Sequence, residues 1–171
     1  MDEIALGLEL SRVNFIWAVE FTEDTGFWSL PEEFLKRGPW NGRGLVIDGW
    51  APLAKILCHE SLGGFMSSCE WNSVMECVMF GVPVVALPMD LDQPVNARLV
   101  ENSGVGVEVL READGRLRRE VLAEAIRRVV VEDAGEGVRL AAAAMRAVLA
   151  EKKDEEIHEV VKELLGLVDN N

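Results

Sequence analysis

The chain has 171 residues, 49% hydrophobic and 27% charged, a balance that suits one domain with a sizeable core and excludes wholesale disorder. Thirty acidic residues against 17 basic ones give a formal charge of −13, which argues against nucleic acid or an anionic membrane surface as the main partner. An anionic small ligand stays open, because backbone N–H groups at a helix N-terminus bind phosphate whatever the net charge.

Three cysteines, Cys58, Cys69 and Cys77, cannot all pair, and the acidic start Met1-Asp2-Glu3 lacks the basic region of a secretory leader. A reducing, cytoplasmic setting is the expectation. The longest uncharged apolar run, 77–89, is interrupted by Gly81, Pro83 and Pro88 and is too short to span a bilayer. No integral membrane segment is expected.

In chain order, Ile4, Leu6, Leu8 and Leu10 within 1–11 read as the tail of a helix, with no N-cap before it. Residues 14–21 are β-branched and aromatic and predict a buried strand. Ser29-Leu30-Pro31-Glu32 predicts the start of a short helix, with Ser as cap, Pro early and Glu three residues on. Residues 38–42 are turn-rich, and 44–48 predict a short strand.

From there the pattern alternates. Helices predicted over 53–58, 72–80 and 94–101 are followed by strands over 64–67, 83–87 and 104–109. Short strands alternating with helices of about ten residues predict βα units and a parallel sheet. Asp114-Gly115 marks a turn, and 118–168 is helical in pattern throughout.

Three polar clusters fall at strand-to-helix junctions, where an open α/β sheet binds ligands. Trp50 precedes Ala51-Pro52; an aromatic there reads first as core, and otherwise as a flat face for stacking on a base. Asn72-Ser73-Val74-Met75-Glu76 opens a helix. Ser73-x-x-Glu76 has the spacing of a capping box, yet the same residues and free N–H groups suit a diphosphate, with a carboxylate one turn in for ribose hydroxyls. Asp92-Gln93-Pro94 opens another helix, with Asp92 an ordinary N-cap or, beside Gln93, half of a bracket for vicinal sugar hydroxyls. The cysteines and His59 lack the C-x-x-C spacing of a zinc site, so no metal is expected. Gly104-x-Gly106 lacks a third glycine and falls within a predicted strand, and His158 reads as a solvated surface residue.

Residues 50–93, WAPLAKILCHESLGGFMSSCEWNSVMECVMFGVPVVALPMDLDQ, resemble end to end, without a gap, the signature box of plant UDP-dependent glycosyltransferases of the GT-B fold. The flanks ALGLELSRVNFIWAVEF and NARLVENSGVGVEV are similar to the same family. The subgroup most resembled adds a sugar to an existing sugar of a plant glycoside. The resemblance implies an α/β fold: a Rossmann-like parallel sheet with helices on both faces, the C-terminal half of a GT-B fold, then a helical tail. It begins inside the first helix of that half, so 1–171 are expected to form a partial UDP-sugar-binding domain without the acceptor domain or the first strand of the sheet. With that strand missing from mid-sheet, either the strand at 14 pairs with the strand at 64, or a gap remains.

The resemblance also implies roles. Trp50 would stack on uracil, Glu76 would bind the ribose, Asn72 and Ser73 the diphosphate, Trp71 the sugar, and Asp92 with Gln93 the sugar hydroxyls. A Gln at 93 suits UDP-glucose, a co-substrate, and the acceptor would be a small-molecule glycoside. The implied reaction is an inverting displacement at the anomeric carbon, with UDP leaving and neither metal nor cofactor required. No catalytic residue is expected here, since the general-base His and its Asp would stand on the acceptor domain.

Three positions depart from the family pattern. Ser68 replaces a His that contacts the diphosphate, a loss of about 1.5–3 kcal/mol. Glu70 replaces a Gly and sets a carboxylate beside the phosphates, a repulsion of about 3 kcal/mol at about 5 Å and an effective dielectric near 20. Leu53 replaces a Gln near uracil. Two readings follow: the donor-binding half of a UDP-glycosyltransferase, or a non-catalytic remnant or interaction protein with weakened nucleotide-sugar binding. An unrelated Rossmann protein fits less well, as no glycine fingerprint follows a strand.

Overall fold

The computed structural model describes residues 2–19 and 42–169. The helix expected at 29–32, most of the turn at 38–42 and the end of the strand expected over 14–21 lie outside the described residues. In chain order the elements are α1 (Asp2–Ser11), β1 (Phe15–Val19), β2 (Gly44–Asp48), α2 (Leu53–Leu57), β3 (Phe65–Ser67), α3 (Trp71–Phe80), β4 (Val84–Ala86), α4 (Gln93–Asn102), β5 (Gly106–Glu108) and α5 (Arg119–Val130), then a 3-10 turn (Asp133–Gly135) and α6 (Glu136–Asp169). Every strand pairing among the described residues is parallel. The parallel α/β expectation holds, but among the described residues it takes two sheets: β1 pairs with β2, and β3, β4 and β5 form a second sheet in that order. Of the two arrangements open to the sequence, the described residues adopt the one with a gap between β1 and β3.

Strand β4 is central and buried on both faces, which explains its uninterrupted apolar sequence. Because side chains alternate, Val84 and Ala86 enter one core with Leu57, Val74, Cys77, Ala97, Val100 and Ala142, drawn from α2, α3, α4 and α6. Val85 and Leu87 enter the opposite core with Ile4 and Leu8 of α1 and Leu122, Ile126 and Val129 of α5. Helices therefore cover both faces of the three-stranded sheet. Helix α1 also covers the two-stranded sheet, where Ala5 meets Trp17 and Val46.

Helices α1 and α5 run side by side and approach closely. A Cβ on Gly7 would stand 2.8 Å from the Leu122 side chain. Both ends of the contact are tied by polar groups. Glu3 accepts the Arg119 backbone N–H at 2.8 Å, so α1 caps the first residue of α5, and the Arg119 guanidinium binds the same carboxylate. At the far end Arg127 donates to the Leu10 carbonyl at 3.4 Å. The hydrogen bonds from Arg119 hold the Glu3 carboxyl below its ordinary range.

Two glycines set where the site-bearing helices stop. Gly81 (φ 70°) ends α3 with Gly81 N–H on Val78 O and Val82 N–H on Cys77 O. Gly104 (φ 71°) ends α4 the same way, through Glu101 O and Val100 O. The strand expected over 104–109 is accordingly shorter, Gly106–Glu108, and Gly104 belongs to the helix stop. The helical tail expected from 118 resolves into α5 and one 34-residue helix, α6. No helix among the described residues is long and apolar enough to cross a membrane.

Substituting Gly106 tests the core directly. A Cβ there would meet Val84 O at 2.5 Å and would clash with Val100 Cγ1, so Gly106→Ala should lower the urea midpoint by an equivalent of about 2–3 kcal/mol. Gly137→Ala, on α6 with open space around it, should be neutral or stabilise by up to about 1 kcal/mol. The Glu3 cap should show as a pH dependence. Its lowered folded-state pKa gives stability that is full above the ordinary glutamate range and is lost as pH falls through the folded value. Glu3→Gln should therefore lose about 0.5–1 kcal/mol at neutral pH, with the two unfolding curves converging in acid.

Candidate functional site

The exit of β3 turns sharply into α3. Ser67 Oγ accepts the Cys69 N–H at 3.0 Å, and Cys69 takes a left-handed conformation, φ 70°, at a fully buried position. Glu70 then stands at the N-cap and α3 opens at Trp71. The capping-box expectation for Ser73-x-x-Glu76 is therefore corrected. The helix starts three residues earlier than that box requires, and Glu70, in the cap position, makes no side-chain cap bond.

The first ladder bond of α3 runs from Val74 N–H to Glu70 O, which leaves the N–H groups of Trp71, Asn72 and Ser73 ahead of the ladder. Trp71 is 47% exposed, Asn72 is exposed and Ser73 half-buried. Glu76 follows, half-buried, within the next turn of the same helix. A cluster of N–H groups at the positive end of a helix, with a carboxylate further along, can take an anion and hydroxyl groups together.

The exit of β4 supplies the second half. Leu91 (φ 52°) turns the chain into α4, with Asp92 at the N-cap and Gln93 first in the helix. Asp92 does not cap with its side chain; its carboxylate accepts Asn96 Nδ2 at 3.0 Å. Asn96 also donates to the Cys69 carbonyl at 3.0 Å, so one buried amide ties the β3 exit to the β4 exit. Gln93 is 5% exposed, with Oε1 accepting the Met89 and Asp90 N–H groups at 2.8 and 3.2 Å. Its Nε2 donates to Glu70 Oε1 at 2.6 Å.

Residues 70–73 and 92–93 thus form one cluster across two strand exits. Asn96 was not among the candidates from the sequence. Its signal was a polar side chain in helical register with buried Ala97 and Val100 and one turn after Asp92 and Gln93. Trp50 stands at the exit of β2, in the other sheet, and is 85% exposed, so its reading as core is corrected. Helix α2 connects it to the cluster, since Leu57 shares a core with Val74 and Cys77 of α3. Leu53 packs against that same core, which accounts for an apolar residue there. Ser68 lies half-buried between Ser67 and Cys69.

Burial pushes the Cys69 thiol up to about 11 and the Cys77 thiol up to about 12, so both serve as small apolar side chains. Cys58 is exposed, and all three cysteines are free. His59 Nδ1 accepts the Ser61 N–H, and His158 is exposed. Among the described residues no group of three or more His, Cys, Asp or Glu is placed to hold a metal ion.

A cavity of about 650 Å3 opens near Met89, between α1, the β5 exit and the start of α5. Three of its four arginines pair with carboxylates, and Arg111 donates to the Gly115 and Pro88 carbonyls at 3.3 and 3.4 Å. Arg116 pairs with Asp114 and Glu112, Arg118 with Glu112 and Glu120, and Arg119 with Glu3. None of the candidate residues of the strand exits lines it.

The family described as UDP-glucoronosyl and UDP-glucosyl transferase matches residues 1–137. Mogroside IIIx synthase of Siraitia grosvenorii is 51% identical over 168 residues, 96% of this chain and 35% of that protein. Beta-D-glucosyl crocetin beta-1,6-glucosyltransferase of Gardenia jasminoides is 46% identical over 98% of this chain and 38% of its own length. Among solved structures, Os79 from O. sativa in complex with UDP and deoxynivalenol-3-glucoside matches with a TM-score of 0.83 and 32% identity, over 94% of this chain and 37% of that one. The chain thus spans about a third of the length of the curated relatives it matches. On this match and on the parallel α/β architecture, the chain belongs to the UDP-glucoronosyl and UDP-glucosyl transferase family.

Proposed function

We propose that this chain is the donor-binding half of a UDP-glycosyltransferase, taking a UDP-hexose such as UDP-glucose for transfer to a small-molecule glycoside. The observation that carries this reading is the pair of helix N-termini, α3 and α4, joined at the strand exits by Asn96 and Gln93. Residues 1–171 are then one partial UDP-sugar domain, and acceptor binding comes from outside them.

The N–H groups of Trp71, Asn72 and Ser73 would hold the diphosphate, with the Asn72 and Ser73 side chains beside them. Glu76 would accept the ribose hydroxyls. The exposed ring of Trp50 would stack on uracil and that of Trp71 would line the sugar, with Asp92 and Gln93 at its hydroxyls. Positioned this way, the anomeric carbon is open to in-line attack, and inversion follows when UDP departs from the opposite face. The developing charge on UDP is met by the α3 dipole, so no metal or cofactor is needed for it. The general base that activates the acceptor hydroxyl would be supplied from outside these residues. Free thiols suit a cytoplasmic setting. The names of the relatives support a transferase over a non-catalytic remnant, and that of the Gardenia jasminoides relative supports a glycoside acceptor.

Two departures weaken donor binding without abolishing it. Ser68 is shorter than the His of the family pattern and withdraws one phosphate contact. Glu70 is exposed, so water screens its repulsion of the diphosphate towards about 1 kcal/mol. Titration calorimetry on the full chain should detect UDP binding, weakened about tenfold or more by Trp50→Ala through lost stacking. Ser68→His with Glu70→Gly should strengthen it by a similar factor. No heat of binding with UDP or UDP-glucose from that double variant, properly folded, would refute the donor site.

A further inference from the structure

We infer that Glu70 is a specificity-determining residue: by holding the Gln93 amide it occupies the contact available to a donor hexose, so the site gains little from a sugar attached to UDP. The inference rests on the donor-site reading above and concerns only the Glu70–Gln93 pair.

A primary amide offers two acceptor positions and two N–H donors. In Gln93 both acceptor positions are filled by the backbone N–H groups of Met89 and Asp90. Those two donors fix which way the amide faces, since turning it over would set N–H against N–H. The nitrogen therefore faces Glu70, and one of its hydrogens is bound at 2.6 Å. At 5% exposure the amide has little room to reach another partner.

The competition then favours the carboxylate. An N–H bound to a charged acceptor is held more strongly than one bound to a neutral hydroxyl. A hexose hydroxyl that displaced Glu70 would exchange the stronger bond for the weaker and would leave the carboxylate to resolvate beside the phosphates. Glu70 is free to serve this way because it makes no cap bond to α3, although it sits at the N-cap. Asn96 draws on one oxygen of Asp92 in the same manner, so the hexose end of the cluster is largely satisfied from within the protein. The nucleotide end is not: Trp50 and the N–H groups opening α3 are untouched by the pair.

The test compares UDP with UDP-glucose on the full chain and its variants by titration calorimetry, with folding checked by circular dichroism. The unmodified chain should bind the two ligands with Kd values within about threefold of each other. Glu70→Gln keeps an acceptor oxygen for Gln93 but removes the charge, so both affinities should rise, with UDP-glucose gaining on UDP by less than in Glu70→Gly. Glu70→Gly removes the acceptor as well, and UDP-glucose should gain about tenfold over UDP. Glu70→Ala, which also lacks an acceptor, should repeat that gain without the added backbone freedom of glycine. Gln93→Ala placed in the Glu70→Gly background should abolish it. Equal gains for both ligands in Glu70→Gly and Glu70→Ala would overturn the inference and leave Glu70 acting through charge alone. Failure of every folded variant to bind UDP would instead overturn the donor-site reading, and this inference with it.

Discussion

Strand β4 is buried on both faces, and most of the architecture answers to that. A strand with no solvated side needs a helical layer above and below, and its alternating side chains divide the molecule into two cores. Parallel neighbours follow, because each strand must be reached by a helical crossover rather than a tight hairpin. Polar groups then have one place to collect, at the strand exits, where the chain leaves the core and a helix begins. The cluster at residues 70–73 and 92–93 is located by this constraint as much as by its own chemistry.

Within that cluster, rigidity and availability pull against each other. Asn96 and Gln93 join two loops that would otherwise be held only at their ends, and they hold the α3 and α4 openings in fixed relation. Every hydrogen bond used for joining is unavailable to a ligand. Backbone N–H groups at a helix start escape this conflict, since the helix itself leaves them without acceptors. That is why the opening of α3 can be both firm and open, while Asp92 and Gln93 are firm because they are occupied. Glu70 shifts the balance further in the second direction.

The two-stranded sheet depends on a different tie. Two strands alone bury too little apolar surface to persist, and here α1 supplies the cover, with Ala5 on Trp17 and Val46. Helix α1 is itself held by its close approach to α5 at Gly7 and by polar bonds at either end. Through α1 the exit that carries Trp50 is anchored to the opposite core of β4. A change in the α1–α5 contact would therefore reach the exit that carries Trp50 before it reached the opening of α3.

Local pattern by itself determined the succession of strands and helices from residue 44 onward, the parallel α/β class and the position of the polar clusters. These rest on side-chain periodicity and glycine placement, which are properties of neighbouring residues. The family, too, was legible, because the run from Trp50 to Gln93 is contiguous. What only the tertiary structure decided depends on distant groups meeting. Glu70 and Gln93 are joined across two loops, Asn96 reaches Cys69, and Glu3 caps a helix that begins at Arg119. The cap of α3 was misread for the same reason. Ser73 and Glu76 satisfy a local capping pattern, but the buried left-handed turn at Cys69 starts the helix at Trp71. Capping chemistry is read from four residues, whereas the turn that overrides it is set by the core beneath.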